Sequence, residues 1–386
     1  MSSKSRPVLA PSAFTLPAKY YTDVGLFARE QELFFRRMWV NVGRLEEIAT
    51  RGAYITREVA GESVIVVRST EEGAVRAFCN VCRHRGTRLC AESSGRFSGA
   101  IQCPYHAWTY DYEGRLVGAP HMDGSPEFRR DDFPLRAVPA GVWDGHVFIC
   151  LAPAGPTLDH HLAGLPEKFR PWRMGELRRA ARIVYDVRAN WKLIIQNYNE
   201  CLHCPGLHPT LNKLSHYLSG ENEPLQPTYM GGRMDLNEGV DTMSIDGTCR
   251  RAPLPGLASA DRRRVYYYSI FPNFLLAPHP DYVLTHTLWP ETPAFTRIVC
   301  EWHVHPDELA QPAFDLSDVT SFWDLTNRQD WHVCELAQLG ISSRSYTPGP
   351  YSNREDLLYA FDRFIVGALG DAGEGLRSPL GDDGSG

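Results

Sequence analysis

Two pairs of residues, each a cysteine followed closely by a histidine, constrain the fold of this 386-residue chain more than any other feature. One residue separates Cys82 from His84, and two residues separate Cys103 from His106. Alternate residues of an extended loop point the same way, and Pro104 favours a tight loop for the second pair. Two such loops facing each other would bring two thiolates and two imidazoles together.

This set of four side chains fits a [2Fe-2S] cluster of the Rieske type, in which two cysteines bind one iron and two histidines bind the other. Zinc is the alternative, because Cys79, Cys82, Cys103 and His106 could form a Cys3His site. That alternative leaves His84 without a role. It also uses Cys79, which ends an apolar β run where a buried, inert thiol is more common. We therefore favour the cluster.

Composition and charge exclude several classes of protein. The chain is 43% hydrophobic and 22% charged, which is typical of a globular protein and not of a disordered or fibrous one. The net charge of -6 and the absence of a long basic run argue against a nucleic-acid partner. No apolar stretch approaches the roughly 20 residues that span a bilayer, and residues 1–18 lack the apolar core of a signal peptide. We expect a cytoplasmic protein without a membrane partner, whose cysteines favour metal ligation over disulfides.

A second group of metal-binding side chains follows about 100 residues after the first. Glu200 and His203 are three residues apart and would share one face of a helix predicted around 191–204. His203 and His208 are five apart and would diverge by about 140° on an intact helix. Pro205 and the glycine after it predict a bend that lets both imidazoles converge on one ion. Two imidazoles and a carboxylate with open positions are typical of non-haem Fe(II) oxygenases.

Two cysteines flank His203 and suggest a zinc site of their own. If Glu200 and His203 face the ion, Cys201 and Cys204 point elsewhere, and we expect them to pack in the core. Structural roles for His203 and His208 are the alternative, which the upstream cysteine and histidine pairs weaken.

The two groups together resemble a known family. The sequence Cys-Arg-His-Arg-Gly at 82–86, followed after a gap of 18 residues by Cys-Pro-Tyr-His-Ala-Trp at 103–108, resembles the signature of the large (α) subunit of Rieske non-haem iron oxygenases. The resemblance extends from about residue 20 to 370. It implies an α+β protein with an N-terminal all-β Rieske domain. The catalytic domain that follows would have an antiparallel sheet flanked by helices, as in helix-grip or START-like folds.

Four segments are predicted along the chain. They are a leader and helix that pack on the catalytic domain (1–40), a Rieske [2Fe-2S] domain (41–155), a mononuclear iron domain (156–370) and a flexible tail (371–386). Within the catalytic domain we expect strands at 264–271, 282–289 and 296–305 and helices at 315–339 and 354–369.

The resemblance supplies the third ligand of the mononuclear iron. The segment 327–335 resembles the family's C-terminal helix, so Asp330 is expected to hold Fe(II) with His203 and His208. Asp324 is the alternative, but it lies one and two-thirds turns earlier and would face away.

The resemblance also implies a path for electrons between subunits. Glu200 stands where the family has an acidic residue that connects an iron histidine to a cluster histidine of a neighbouring subunit. Most relatives have Asp there, and a similar Glu occurs in the branch acting on choline, glycine betaine and carnitine. We expect His106 to be the partner of Glu200, in a homotrimer.

The implied activity is that of a terminal oxygenase. Electrons from NAD(P)H would arrive through a separate reductase with a flavin, a ferredoxin or both, and O2 would be used to hydroxylate a small organic substrate. Segments 334–340 and 346–349 resemble the choline monooxygenase and betaine demethylase branch, which favours N-demethylation of a quaternary ammonium compound. Aromatic ring hydroxylation and O-demethylation within the family remain alternatives. A Rieske electron-transfer protein without mononuclear iron is a further one.

Aromatic side chains are suited to binding a methylated ammonium group, which has no hydrogen-bond donor. Tyr198 lies two residues before Glu200 and is expected to contact the substrate. Further candidates for the pocket wall are Tyr229, Tyr266, Tyr268, Phe271 and Trp289, although aromatic residues on strands are more often core.

Overall fold

The computed structural model describes residues 9, 13–70, 73–152 and 155–370. The chain divides into two compact units, Phe34–Pro166 and Met1–Leu33 together with Glu167–Gly386. The units divide after residues 33 and 166, whereas the predicted boundaries follow residues 40 and 155. The predicted flexible tail, 371–386, and nearly all of residues 1–12 lie outside the described residues. No helix in the described ranges is long and apolar enough to cross a membrane.

The smaller unit is built from short antiparallel strands. Strands β1 to β11 are Val40–Arg44, Ala53–Val59, Glu62–Arg68, Val75–Cys79, Ser94–Arg96, Ile101–Gln102, Thr109–Tyr110, Leu116–Gly118, Ala137–Val138, Ala140–Trp143 and His146–Ile149. They form sheets of order β5-β2-β3-β4-β9, β1-β11-β10 and β6-β7-β8. Residues Val64 to Val67 of the central strand β3 are fully buried. Such a run of β-branched residues is typical of a strand covered on both faces.

The larger unit contains one antiparallel sheet. Strands β12 to β18 are Arg178–Val187, Glu221–Asn222, Tyr229–Asp235, Arg264–Ile270, Phe274–Pro278, Val283–Thr292 and Phe295–Val304. Their order is β12-β18-β17-β16-β15-β14-β13. The strands predicted at 264–271, 282–289 and 296–305 correspond to β15, β17 and β18, and the predicted fold class is confirmed.

Helices occur in both units, and some of those in the larger unit contact this sheet. Helices α1 to α10 are Lys19–Thr22, Val24–Glu30, Leu158–Leu162, Leu165–Phe169, Trp191–Tyr198, Cys204–Leu207, Pro209–Leu214, Pro306–Leu309, Ser317–Ile341 and Asp356–Leu369. Gln31–Phe35 continues α2 as a π-helical segment. Helix α5 contacts β15, β17 and α9, and α9 also contacts β12. Helices α5 and α9 therefore lie side by side against the sheet, and both lead into the candidate site.

The start of α5 is fixed by Asn190. Its side chain accepts a hydrogen bond from the Lys192 backbone N–H at 3.0 Å and so caps the helix. Its amide nitrogen donates to the carbonyl oxygen of Pro293 at 2.7 Å, and its backbone N–H donates to Gln338 on α9 at 3.0 Å. One buried residue thus ties α5 to both a sheet hairpin and α9.

A buried ion pair also holds α5. The Lys192 ammonium lies 2.6 Å from Glu30 Oε1, and both side chains are fully buried. The indole N–H of Trp191 donates to the other carboxylate oxygen of Glu30 at 2.8 Å. The N-terminal helix α2 is therefore attached to the first turn of α5.

The helix predicted over 191–204 ends six residues earlier, and this prediction was wrong. Helix α5 stops at Tyr198, and a new short helix, α6, begins at Cys204. Pro205 lies in the first turn of α6, where its missing N–H costs nothing, so the proline starts a helix and does not break one. The interruption that bends the chain therefore precedes His203.

Candidate metal centre, cluster loops and substrate pocket

Three predicted ligands of the mononuclear site lie together in the larger unit. Oδ1 of Asp330 is 2.7 Å from Nε2 of His208 and 3.4 Å from Nε2 of His203. The ligand atoms of the three side chains all lie within 4.8 Å of one another. Among the described residues, this is the one group of three or more His, Cys, Asp or Glu side chains that could hold a metal ion.

Different elements supply the three side chains. His203 precedes α6, His208 lies between α6 and α7, and Asp330 is on α9. The irregular link after α5 lets His203 turn back toward the start of α7. The histidine rings meet edge to face, with centroids 5.2 Å apart.

Each histidine is held through its other ring nitrogen. Nδ1–H of His203 donates to Glu200 Oε1 at 2.6 Å, and Nδ1–H of His208 donates to Gln329 Oε1 at 2.7 Å. These bonds fix the ring orientation and leave Nε2 of both rings facing Asp330. Glu200 and His203 do meet as predicted, but in the irregular link and not on a helix face. The contact of Gln329 was not predicted.

The electrostatics of the group suit a cation. Burial would raise the pKa of Asp330, but hydrogen bonds from His203 and His208 outweigh it, and the pKa is lowered. Burial would lower the pKa of His203, but Asp330 and Glu200 raise it to about 9. A metal ion at this point would therefore replace a proton held by the same groups.

Asp324 faces away from this group, as predicted. Its Oδ1 accepts a hydrogen bond from the Tyr185 hydroxyl at 2.8 Å, and its Oδ2 accepts from Arg328 at 2.9 Å. His332, two residues after Asp330, is exposed.

The candidate metal group opens onto a cavity of about 110 Å³ in the same unit. Its aromatic lining residues are Tyr198, Tyr217, Tyr267, His286, Trp323 and Trp331. Its charged side chains, besides the metal group, are Glu200, Arg233 and Arg354. The cavity thus combines ring faces with a potential metal at one wall.

Tyr198, expected to contact the substrate, lines the cavity, but the other residues proposed for the pocket wall do not. Tyr266 and Tyr268 point to the opposite face of β15, where their rings pack against Phe169. Alternate residues of a strand face opposite sides, so Tyr267 between them faces the cavity. The prediction therefore placed the wrong face of β15 toward the cavity. Of the remaining candidates, Tyr229, Phe271 and Trp289 also lie outside the lining.

The four predicted cluster ligands lie on two loops of the smaller unit that repeat one backbone pattern. The backbone N–H of Gly86 donates to the Cys82 carbonyl oxygen at 3.1 Å, and that of Ala107 donates to the Cys103 carbonyl oxygen at 3.2 Å. Gly86 and Ala107 both have left-handed backbone angles, with φ of 76° and 55°. The two loops are therefore built alike, as expected for two halves of one site.

Thiols and imidazoles occupy different environments in these loops. Cys82 and Cys103 are buried, whereas His84 is exposed and His106 half-buried. The two imidazole rings lie edge to face, 4.8 Å apart. His84 also stacks on Trp108, with ring centroids 4.8 Å apart. Two buried sulfurs and two outward imidazoles are the donor set that a Rieske cluster requires.

The sulfur side of this site is buried, and burial raises the pKa of Cys82 above its usual value. The Tyr110 hydroxyl, 3.4 Å from Sγ, and the backbone N–H of His84 offset only part of this rise. The Tyr110 oxygen also accepts a hydrogen bond from the Arg83 backbone at 3.0 Å. Cys79 does not join a single-ion group with these residues in the part of the chain that is described.

The core role expected for Cys201 and Cys204 was wrong. The two residues form a disulfide across the link that carries His203. Cys204 is buried and Cys201 half-buried. We expected the cysteines of this chain to bind metals and not to form disulfides. This expectation is wrong for Cys201 and Cys204, because a tight turn brings the two residues into contact.

The fold and the two groups of side chains define a class of protein with a β domain for an iron–sulfur cluster and a domain for a single metal ion. Comparison with known families agrees. Residues 38–129 match the Rieske [2Fe-2S] domain, and residues 174–370 match the ring hydroxylating alpha subunit (catalytic domain).

Known proteins resemble the chain over most of its length. It is 32% identical to the glycine betaine monooxygenase oxygenase subunit of Pseudomonas aeruginosa, over 88% of this chain and 85% of that protein. It is 38% identical to the carnitine monooxygenase oxygenase subunit of Escherichia coli, over 51% of this chain and 53% of that one. A crystal structure of the quaternary ammonium Rieske monooxygenase CntA superposes with a TM-score of 0.78 at 23% identity, covering 95% of this chain and 100% of that one.

The chain therefore belongs to the family of ring hydroxylating alpha subunits that carry a Rieske domain. It is the terminal oxygenase component of a Rieske oxygenase, a family that uses a [2Fe-2S] cluster, a mononuclear iron and electrons from a separate reductase. The predictions of family, fold class, enzyme class and cofactors are confirmed.

Proposed function

We propose that His203, His208 and Asp330 hold the mononuclear iron and that Cys82, His84, Cys103 and His106 hold the cluster. The convergence of two Nε2 atoms and one carboxylate oxygen beside an aromatic cavity supports this most directly. When bound, the cluster supplies electrons and the iron supplies the site of O2 activation.

The protein's own groups prepare the mononuclear site. Glu200 and Gln329 keep a proton on Nδ1 of each histidine, so that both Nε2 lone pairs are directed to one point. Asp330 contributes the negative charge. The ring faces of Tyr198, Tyr267 and other cavity residues exclude water and provide binding for a substrate cation.

We propose that the substrate is a quaternary ammonium compound and that the reaction is N-demethylation. One oxygen atom of O2 enters a C–H bond of an N-methyl group, and the other leaves as water. Two electrons from NAD(P)H, passed on by the reductase, and two protons complete the balance. The hydroxymethyl group then leaves as formaldehyde and a proton. The aromatic cavity and the relatives that act on glycine betaine and carnitine support this choice.

The decisive experiment compares Asp330→Ala with Asp324→Ala, a matched change on the same helix. Purified wild type should contain about three irons per chain, and Asp330→Ala about two. Asp330→Ala should keep the visible absorption of the cluster but release no formaldehyde from glycine betaine, choline or carnitine. Asp324→Ala should keep three irons and activity. Equal iron content in the two variants would refute the ligand assignment.

Turnover with a surrogate reductase tests the reaction type separately. Formaldehyde should appear from the ammonium compounds in a one-to-one ratio with O2 consumed. A hydroxylated or dihydroxylated product from a simple aromatic acid, with no formaldehyde from the ammonium panel, would favour ring hydroxylation.

We also propose a homotrimer in which Glu200 of one subunit contacts His106 of the next. His106 is only half-buried within its own unit, and Glu200 is already bonded to an iron histidine. Sedimentation should give a mass of three chains. Co-expression of Asp330→Ala with a cluster-free Cys103→Ala chain should restore activity in mixed trimers. Inactive mixed trimers would mean that electrons do not cross between subunits.

A cytoplasmic location is part of the proposal, because the NAD(P)H that drives the reductase is a cytoplasmic reductant. Fractionation of cells followed by immunodetection tests it, and recovery in the periplasm would contradict it.

A further inference from the structure

The disulfide between Cys201 and Cys204 encloses one ligand of the proposed iron site. Leu202 and His203 lie between the two cysteines, so one of the histidines that converge on Asp330 is inside the covalent ring. The other eight cysteines of the chain, all within the described residues, are free. Among the described cysteines, the one oxidised pair therefore lies at the candidate metal centre.

The position of this disulfide favours a reversible bond over a structural one. A cross-link stabilises a fold mainly by restricting the unfolded chain, and the effect decreases as the closed loop becomes shorter. Only three positions separate Cys201 from Cys204. The proposed location is also cytoplasmic, and disulfides in that reducing compartment are usually transient, catalytic or redox-sensing.

The pair is accessible to small molecules. Both cysteines line the cavity. Cys201 is half-buried and Cys204 is 3% exposed, while Leu202 between them is exposed at 36%. In thiol–disulfide exchange a thiolate attacks one sulfur, and access decides which sulfur is attacked. A small thiol would therefore attack Cys201 and release Cys204, whose sulfur takes up a proton.

The backbone keeps the two residues together after reduction. The backbone N–H of Cys204 donates to the Cys201 carbonyl oxygen at 3.2 Å, and the two Cα atoms are 5.1 Å apart. This hydrogen bond closes a turn through the main chain and does not require the bond between the sulfurs. The reduced pair is therefore placed to form the disulfide again.

The disulfide restrains the irregular link between α5 and α6. The link begins at Asn199, whose amide nitrogen donates to the Ser269 hydroxyl at 2.6 Å. Glu200 then accepts hydrogen bonds from the Leu202 backbone N–H and from Nδ1 of His203. Reduction removes the covalent ring around His203 and leaves these hydrogen bonds. A ligand that is less firmly positioned binds its metal more weakly.

We propose that Cys201 and Cys204 form a thiol–disulfide switch that sets how firmly the mononuclear iron is held. This inference rests on the proposed function, because the switch regulates the iron site of that function. The disulfide form fixes His203 for the iron, and the dithiol form releases the iron more readily.

The switch exchanges electrons with a small thiol and its disulfide. In the oxidation, the two protein thiols give two electrons and two protons to one molecule of the small disulfide. The Cys201–Cys204 bond forms, the S–S bond of the small molecule breaks, and two small thiols are released. The reduction is the reverse of this reaction.

The test equilibrates the iron-loaded protein anaerobically in mixtures of reduced and oxidised glutathione. Acid quenching, alkylation of free thiols and peptide mass spectrometry measure the oxidised fraction of the pair. Wild type should pass reversibly between dithiol and disulfide as the glutathione ratio changes. After glutathione is removed, the reduced form should lose its mononuclear iron to a chelator about 10-fold faster than the oxidised form. Cluster absorption is the internal reference.

Two variants complete the test. Cys201→Ser/Cys204→Ser cannot form the bond, so it should lose iron at the rate of reduced wild type in every glutathione mixture. Cys249→Ser changes a half-buried free cysteine of the same unit and should respond to glutathione as wild type does. The comparison between the two forms of wild type requires no substitution, so it holds even if the double variant folds poorly.

Three results would overturn the proposal. Free thiols at both positions in oxidised glutathione would show that the pair does not oxidise. A disulfide that reduced glutathione opens only after the protein is unfolded would be a structural cross-link. Equal or reversed rates of iron loss in the two forms would mean that the pair does not control the iron.

The alkylation and iron measurements use no substrate, so they separate failure of this inference from failure of the proposed function. A pair that switches reversibly and changes iron loss, in a protein that releases no formaldehyde from the ammonium panel, would refute the proposed reaction alone. A pair that does not switch, in a protein that demethylates, would refute this inference alone.

Discussion

Oε1 of Gln329 lies 2.7 Å from Nδ1 of His208, and the next residue on α9, Asp330, lies 2.7 Å from Nε2 of the same ring. Two consecutive residues of one helix thus hold both nitrogens of one imidazole. His203 is held differently, by the carboxylate of Glu200. A carboxylate pulls more strongly on the Nδ1 proton than an amide does, so the two histidines should differ in donor strength toward a metal.

The first prediction concerns Gln329. Gln329→Leu removes the acceptor for the Nδ1–H of His208 and should weaken mononuclear iron binding by about 10- to 100-fold. Gln329→Glu keeps an acceptor at the same place and should retain the iron. The measurement is metal content after dialysis against a graded chelator, with cluster absorption as the internal reference. Iron retention by the leucine variant equal to that of wild type would show that the contact does not orient the ring.

The second prediction concerns Glu200. Glu200→Gln retains an oxygen for the His203 N–H but loses the negative charge, so both metal sites should remain loaded. If Glu200 connects the two sites, the rate at which a pre-reduced cluster is oxidised in a single turnover should fall by about 10- to 100-fold. Glu200→Asp keeps the charge at shorter reach and should fall between wild type and the glutamine variant. An unchanged rate in Glu200→Gln would remove Glu200 from the electron path.

Most of the proposed metal ligands could be predicted from sequence because they lie close together in short motifs. The pairs Cys82–His84 and Cys103–His106 each lie within one loop, so spacing alone constrains them. Asp330 lies far away in the chain. Only the resemblance to a family singled it out, since nothing local distinguishes it from Asp324 on the same helix.

Features set by tertiary packing were harder to predict. The face of β15 that meets the cavity depends on strand register, and a shift of one residue exchanges Tyr267 for Tyr266 and Tyr268. The early end of α5 was missed because Pro205 was interpreted as a helix breaker. The contact between Gln329 and His208 joins residues 121 positions apart, and sequence periodicity does not predict contacts over such a separation.

The third prediction concerns the buried pair Lys192 and Glu30. Lys192→Met leaves a buried carboxylate without its cation and should destabilise the larger unit by about 3–5 kcal/mol. Adding Glu30→Gln removes that charge but keeps an oxygen for Trp191, and should recover much of the loss. Arg297→Met, which breaks exposed ion pairs with Asp186 and Glu291, should cost at most about 1 kcal/mol. Urea unfolding of the purified variants measures all three. A loss in Lys192→Met no larger than in Arg297→Met would show that the buried pair is not stabilising.

The fourth prediction concerns the fully buried Asp362 on α10. Its oxygens accept hydrogen bonds from Tyr351 at 2.7 Å and Gln196 at 2.6 Å. Burial nevertheless raises its pKa to about 7. Between the unfolded pKa near 4 and this value, the folded protein holds a proton that the unfolded chain has lost. Raising the pH through this window should therefore lower the free energy of unfolding, by about 1 kcal/mol per pH unit, with no further effect above it.

Asp362→Asn cannot titrate and should lack this dependence. The free energy of unfolding of wild type minus that of Asp362→Asn should fall between about pH 5 and pH 7 and then stay level. Asp307→Asn, a change at an exposed side chain of the same unit, provides the reference for general pH effects. A difference that rises with pH over this window would mean that hydrogen bonds from Tyr351 and Gln196 outweigh burial, because stability would then be lost on acidification and not on alkalinisation.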